Sequence, residues 1–200
     1  MSSDAKRIPA LYDRYAYDWD QVRSRSLTEK PWLDKFLSLL TPKAYILDIG
    51  CGGGEPIARY FIEREYKITG VDSSTAFIDI CKNRFPNHEW IVADMRELSL
   101  GRQFEGILAW DSFFHLCPAD QRGMFPIFRQ HASPKASLMF TSGPRLGEAI
   151  GVYKGEALYH GSLDEEEYRS LLNENEFDVV SHVVEDPTCG YHTIWLSQLR

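Results

Sequence analysis

Apolar residues recur along this chain in two rhythms, one helical and one extended. The first 40 residues read as helical. Thr28 is the expected N-cap of a helix with Pro31 in its first turn, and Trp32, Leu33, Phe36, Leu37 and Leu40 follow at helical spacing until Thr41-Pro42 stops it. From there the pattern alternates. Short apolar runs at 44–47, 67–71, 89–93, 104–110 and 136–141 read as strands. Between them, 56–65, 74–85 and 118–131 read as helices; Ser73 or Ser74 caps the second, and Pro126 should kink or split the third.

Strands alternating with helices of this length predict βαβ units and an α/β fold built on a parallel sheet. The tail changes character. Ser162-Leu163-Asp164-Glu165 reads as a capping box opening a helix through Leu172. Runs at 177–184 and 192–199 are then separated by seven residues, too few for a crossover, so they are expected to form an antiparallel hairpin. The sum is a doubly wound, mostly parallel sheet of about seven strands ending in that hairpin. No repeat or linker interrupts it, so a single domain over 1–200 is expected, with 1–40 an N-terminal helical cap, 41–200 the α/β core, and the glycine-punctuated segment 143–161 a substrate loop.

Composition narrows the class of protein. With 22 Lys and Arg against 29 Asp and Glu, the formal net charge is −7, which gives no general attraction to phosphate backbones, so no nucleic-acid partner is expected. No apolar run approaches the roughly 20 residues that span a bilayer, so no membrane association is expected. No apolar signal core follows Met1, and the expectation is a cytoplasmic protein. Cys51, Cys81, Cys117 and Cys189 lie far apart and read as free thiols, and no histidine shares metal-ligand spacing with them, so no metal site is expected.

In open α/β sheets ligands bind outside the carboxyl ends of the strands. Four successive strand ends carry an acid here: Asp48, Asp72, Asp94 and Asp111. After the first strand comes Gly50-Cys51-Gly52-Gly53-Gly54, a turn whose glycines let the backbone approach a ligand. A dinucleotide fingerprint would need a third spaced glycine where Glu55 stands, and Glu55 would compete with a pyrophosphate. Asp48 before the turn suits an ammonium group. Asp72, about 20 residues on, suits both hydroxyls of a ribose. These residues call for an adenosine-like ligand without phosphates.

Over nearly its whole length the sequence resembles the class I S-adenosylmethionine (SAM)-dependent methyltransferases. Ile46-Leu47-Asp48-Ile49-Gly50-Cys51-Gly52-Gly53-Gly54 resembles the family's first motif, which holds the amino acid end of SAM. Val71-Asp72-Ser73-Ser74 is similar to the ribose-binding step. Ala93-Asp94-Met95 is similar to the adenine step, which implies Asp94 on the exocyclic amine and Met95 against the ring. The segment from Ile107 through Trp110, Asp111 and Ser112 resembles the fourth motif, whose strand end faces the methyl group. The resemblance implies a Rossmann-like methyltransferase fold, SAM as cofactor, S-adenosylhomocysteine (SAH) as product and a small-molecule methyl acceptor. The Pro-Pro-aromatic motif of the members that methylate nucleic-acid amines is missing after Asp111.

If the acceptor must lose a proton, His115 is the first candidate base, with Asp111 orienting it or binding substrate. His160, Phe113 and Phe114 are weaker candidates, for which loop exposure or core packing is the simpler role. Tyr12, Tyr15, Trp19 and Arg23 share one helical face, which reads either as a lid, with an aromatic ring such as Tyr15 over the cofactor, or as ordinary packing of a helix on the sheet edge. Two rival readings remain at this point: a nicotinamide-dependent oxidoreductase, which Glu55 and the terminal hairpin oppose, and a SAM-binding module without catalysis.

Overall fold

The computed structural model of the protein describes residues 4–200. Five strands run parallel: β1 (Tyr45–Ile49), β2 (Lys67–Asp72), β3 (Glu89–Val92), β4 (Phe104–Ala109) and β5 (Ala132–Ser142). Of the four remaining strands, β6 (Gly147–Tyr153), β7 (Glu156–Ser162), β8 (Phe177–Asp186) and β9 (His192–Leu199), the last two complete the main sheet in the order β3-β2-β1-β4-β5-β9-β8. β9 pairs antiparallel with both β5 and β8, so the expected terminal hairpin is present. The chain leaves β1 toward β2 and β3 on one side and toward β4 and β5 on the other. The gap between β1 and β4 is therefore the switch point at which such sheets open a crevice.

Both faces of the sheet are covered, which is why its strands are apolar throughout. Alternation divides their side chains. Leu47, Ile49, Ile107, Ala109, Leu138 and Phe140 join a core with Phe113, Phe125, Phe128, Tyr168 and Trp195. Ile46, Ile68, Leu108, Met139 and Leu196 face the opposite core with Trp32, Phe36 and Phe61. The helices filling these layers are α1 (Ile8–Val22), α2 (Lys30–Ser38), α3 (Ile57–Ile62), α4 (Thr75–Arg84), α5 (Pro118–His131) and α6 (Glu165–Glu174).

Several local expectations change. Ser74 does cap α4, its hydroxyl accepting from Phe77 N at 3.1 Å. Thr28 caps nothing; α2 begins at Lys30, preceded by Glu29 and without a side-chain cap. Ser162 is not a cap either, because it is the last residue of β7, and Asp164 takes the role by accepting from Glu167 N at 2.8 Å. Pro126 lies within α5, which runs unsplit from 118 to 131. The segment expected to be a loop, 143–161, is mostly the antiparallel ribbon β6–β7, a two-stranded sheet of its own. Among the described residues, no helix is long and apolar enough to cross a membrane.

Candidate functional site

The glycine turn is tied to the end of β2. Gly50 N and Cys51 N both donate to the Val71 carbonyl, at 2.7 and 3.0 Å. Asp72 then braces the turn from below: its Oδ2 accepts from Gly52 N and its Oδ1 from Ser74 N, both at 2.9 Å. The glycines differ in purpose. A Cβ on Gly50 would stand 2.2 Å from Ser112 Cβ, so Gly50 lets β1 and β4 converge. A Cβ on Gly52 would meet nothing within 4 Å. Both have positive φ, at 77° and 51°.

The four strand-end acids line one crevice, together with Gly50, Cys51, Gly52, Ser73, Met95, Trp110 and His115. Asp48 is 4% exposed. Burial, and then the charge of Asp72, push its carboxyl up to about 7, with Arg23 pulling the other way. Burial also raises Asp72, against the backbone N–H groups of Ser74, Gly52 and Ser73. Asp94 is held below the usual carboxylate range by Arg96, whose backbone N–H and guanidinium both donate to it.

His115 and Asp111 are both in the crevice but not together. Asp111 holds His192 instead, with Nε2 2.8 Å from Oδ1. The sequence reading missed His192, because nothing local marks the first residue of a terminal strand as reaching the end of β4. Asp111 has φ 50° and its N–H donates to Thr141 Oγ1 at 2.9 Å. His115 Nδ1 lies 2.7 Å from the Tyr159 carbonyl and its Nε2 2.9 Å from Tyr12 Oη. The carbonyl only accepts, so Nδ1 carries the hydrogen; burial brings His115 down to about 4, so the neutral ring accepts from Tyr12 at Nε2.

α1 roofs the crevice. Ile8, Tyr12, Trp19, Asp20 and Arg23 line it. Arg84 of α4 grips Asp20 at 2.9 and 2.7 Å and the Gly53 carbonyl at 2.6 Å. Asp13 accepts from Ser74 Oγ at 2.8 Å and Ala76 N at 3.1 Å. Tyr15, expected over the cofactor, is not among the crevice residues. It sits at a break in the helix, with its ring 5.9 Å from that of Tyr153 and its hydroxyl donating to Glu156 at 2.9 Å. Trp19 meets the same Tyr153 ring at 5.0 Å and the Tyr12 ring edge-on at 5.5 Å. Glu55 faces Arg25, Arg59 and Arg84, which hold its carboxyl low despite burial. His160 stacks near Phe114 at 5.2 Å, and Phe113 is core.

The donor set fits SAM. Asp48, buried and receiving no hydrogen bond from the described residues, can meet an ammonium. The open side of Gly52 leaves room for a ligand against the backbone, and Asp72 keeps lone pairs for ribose hydroxyls. Residues 46–135 match the family described as methyltransferase domain. The chain is 26% identical over 166 residues, 80% of its length, to malonyl-[acyl-carrier protein] O-methyltransferase of Salmonella typhimurium, and spans 64% of that relative's length. In structure it is similar to a Burkholderia thailandensis 1,6-didemethyltoxoflavin-N1-methyltransferase with bound SAH (TM-score 0.77, 17% identity, covering 100% of this chain and 91% of that one). It is also similar to the magnesium protoporphyrin IX methyltransferase of Synechocystis PCC 6803 with bound SAH (TM-score 0.75, 15% identity, 99% and 100% covered). At such identities the structural likeness speaks for the fold. Residues 46–135 carry a methyltransferase domain, and the motif order and sheet topology around it are similar to those of the class I SAM-dependent methyltransferases.

Proposed function

We propose that the protein transfers a methyl group from SAM to a small-molecule acceptor, leaving SAH. The observation that carries this reading is the pairing of Asp48 and Asp72 across the glycine turn, a buried and a half-buried carboxylate in one crevice with Gly52 open between them. When bound, the cofactor supplies an electrophilic methyl group, and the protein's task is to place an acceptor in line with it. Asp48 holds the ammonium of the amino acid end, Asp72 the ribose hydroxyls, and Asp94 and Met95 the adenine.

The acceptor end lies under Tyr12 and Trp19, beside Trp110 and Asp111, where α1 excludes water. His115 reaches that end through Tyr12, whose hydroxyl it fixes. Relatives named for 1,6-didemethyltoxoflavin and magnesium protoporphyrin IX support a small-molecule acceptor, as does the net charge of −7. A protein that works on small solutes, with no membrane-crossing helix among its described residues, also fits the cytoplasm.

Calorimetric titration with SAM and SAH is the first test, followed by a screen of small-molecule acceptors read by SAH release. Micromolar binding is expected. A protein that binds neither compound would overturn the reading.

A further inference from the structure

The C-terminal hairpin touches a crevice residue, Asp111, through one side chain. His192, the first residue of β9, has Nε2 2.8 Å from Asp111 Oδ1 and Nδ1 2.7 Å from the Cys189 carbonyl. A carboxylate and a carbonyl oxygen both only accept, so both ring nitrogens carry hydrogen and the ring is an imidazolium on geometry alone. The charged groups around it are Asp111 from the end of β4, Glu29 ahead of α2, and Arg23 after α1, whose guanidinium lies 3.7 Å from the second Asp111 oxygen and 3.9 Å from Glu29. Asp111 raises His192 to about 9, outweighing burial. Asp111 is thus clamped by two cations, by Thr141 at its N–H, and by a left-handed backbone that a non-glycine residue adopts only under constraint.

A second observation concerns the surroundings of this carboxylate. Neither His115, which lines this end, nor His192, which holds Asp111, can take a proton readily: the first is engaged by Tyr12 at Nε2, and the second is doubly protonated. A hydroxyl acceptor needs a base to become nucleophilic, whereas an amine attacks through its lone pair and loses its proton afterwards. A fixed carboxylate would orient an amine N–H and stabilise the ammonium that forms. The walls at this end, Tyr12, Trp19 and Trp110, are aromatic.

We infer that His192 is a positioning residue that holds Asp111 as the acceptor-orienting carboxylate, and that the acceptor is an aromatic amine whose N–H Asp111 accepts. This rests on the methyl-transfer reading above. The amine lone pair forms the new N–C bond as the S–C bond breaks toward sulfur. The N-methylammonium product then gives its proton to water on release.

The test has two arms. Nitrogen NMR of histidine-labelled protein should show both His192 nitrogens protonated at pH 7.5, with Asp111→Asn moving its titration down toward the ordinary histidine range. A neutral His192 at that pH would overturn the clamp. In the second arm, the SAH-loaded protein is titrated with aniline and with benzyl alcohol. The amine should bind at least about tenfold tighter, and His192→Gln should remove that preference while SAH affinity stays within about twofold. An equal response to the alcohol, or an unchanged preference in His192→Gln, overturns the proposal. Loss of SAH binding by the wild type would instead count against the methyl-transfer reading, and the NMR arm would still judge His192.

Discussion

Tyr12 and His115, 103 residues apart in sequence, are joined by a 2.9 Å hydrogen bond that closes the N-terminal helix over the end of β4. Its direction is set from the far side of the ring, where Nδ1 donates to the Tyr159 carbonyl of β7. One histidine therefore ties three parts of the fold together: the cap, the turn after β4, and the β6–β7 ribbon. The sequence made His115 the first candidate base; in the structure its Nε2 is taken up by the Tyr12 hydroxyl.

That arrangement gives a stability prediction with a definite sign. His115 sits near 4 in the folded protein, below its ordinary value of 6.5, because burial disfavours the imidazolium. The unfolded chain therefore binds the proton first. The stability carried by the neutral ring is complete above about pH 6.5 and is lost as pH falls toward 4, a change of about 3 kcal/mol. Urea denaturation of wild type and His115→Gln at pH 7.5 and 4.5 checks it. The gap between the two proteins should narrow markedly at the lower pH; a constant gap would mean the ring is not held neutral. If the ring acts on the acceptor side, as proposed, His115→Ala should leave SAH affinity within about threefold and lower turnover.

Asp48 carries the opposite sign. Its folded value of about 7 lies above the ordinary 3.8, so its ionised form costs stability, in full above pH 7 and not at all below about 4. Three units correspond to about 4 kcal/mol as an upper figure. Asp48→Asn is expected to raise the melting temperature of the ligand-free protein at pH 8 while weakening SAH binding at least about a hundredfold. In wild type, SAH binding at pH 6 should release close to one proton, seen as buffer-dependent heat in calorimetry. Heat independent of the buffer would mean that Asp48 does not meet the ammonium.

Asp72 supports the turn as well as a ligand, so its substitution should be the gentle one. Asp72→Asn keeps one acceptor oxygen for Gly52 N or Ser74 N and gives up the charge that receives hydroxyl hydrogens. Charge-assisted hydrogen bonds are worth about 1.5–3 kcal/mol each, so SAH affinity should fall by ten- to a hundredfold or more. Adenine alone should bind both proteins equally. An equal loss for adenine would point to collapse of the turn.

The central sheet was legible because burial on both faces makes its strands continuous apolar runs, and because each ends in an acid or a glycine. Asp48, Asp72, Asp94 and Asp111 stand where those runs stop, so the end of each run points to its acid. Pairing across long separations leaves no such mark. Asp111 and His192 are 81 residues apart, and their contact exists only because β9 inserts between β5 and β8. The ribbon β6–β7 was hidden for a different reason: Gly147 and Gly151 interrupt its alternation, and Ile150 and Val152 are exposed where a half-buried strand would show polar residues. Tyr15 shows a third limit: an unbroken helical wheel puts it with the crevice residues Tyr12 and Trp19, but its backbone is non-helical and its hydroxyl is bound by Glu156 of the ribbon.

The two glycines at the start of the turn separate folding from binding, and comparing them tests the site with no change of charge. Gly50→Ala would drive a Cβ to 2.2 Å from Ser112 Cβ, in a segment where Ser112 Oγ donates to the Ile49 carbonyl at 2.6 Å. Neither strand can yield without breaking the β1–β4 ladder, so Gly50→Ala should cost several kcal/mol, in the range of about 2–4 for an overpacked core combined with backbone strain. Gly52→Ala meets no protein atom within 4 Å and pays only for its φ of 51°, about 1–2 kcal/mol. Its new methyl group projects into the space left for the ligand. Gly52→Ala should therefore fold, melt a few degrees below wild type, and bind SAH at least about tenfold more weakly. Were Gly52→Ala to bind SAH as wild type does, the ligand would not lie against this turn, and the assignment of Asp48 and Asp72 to its two ends would fall with it.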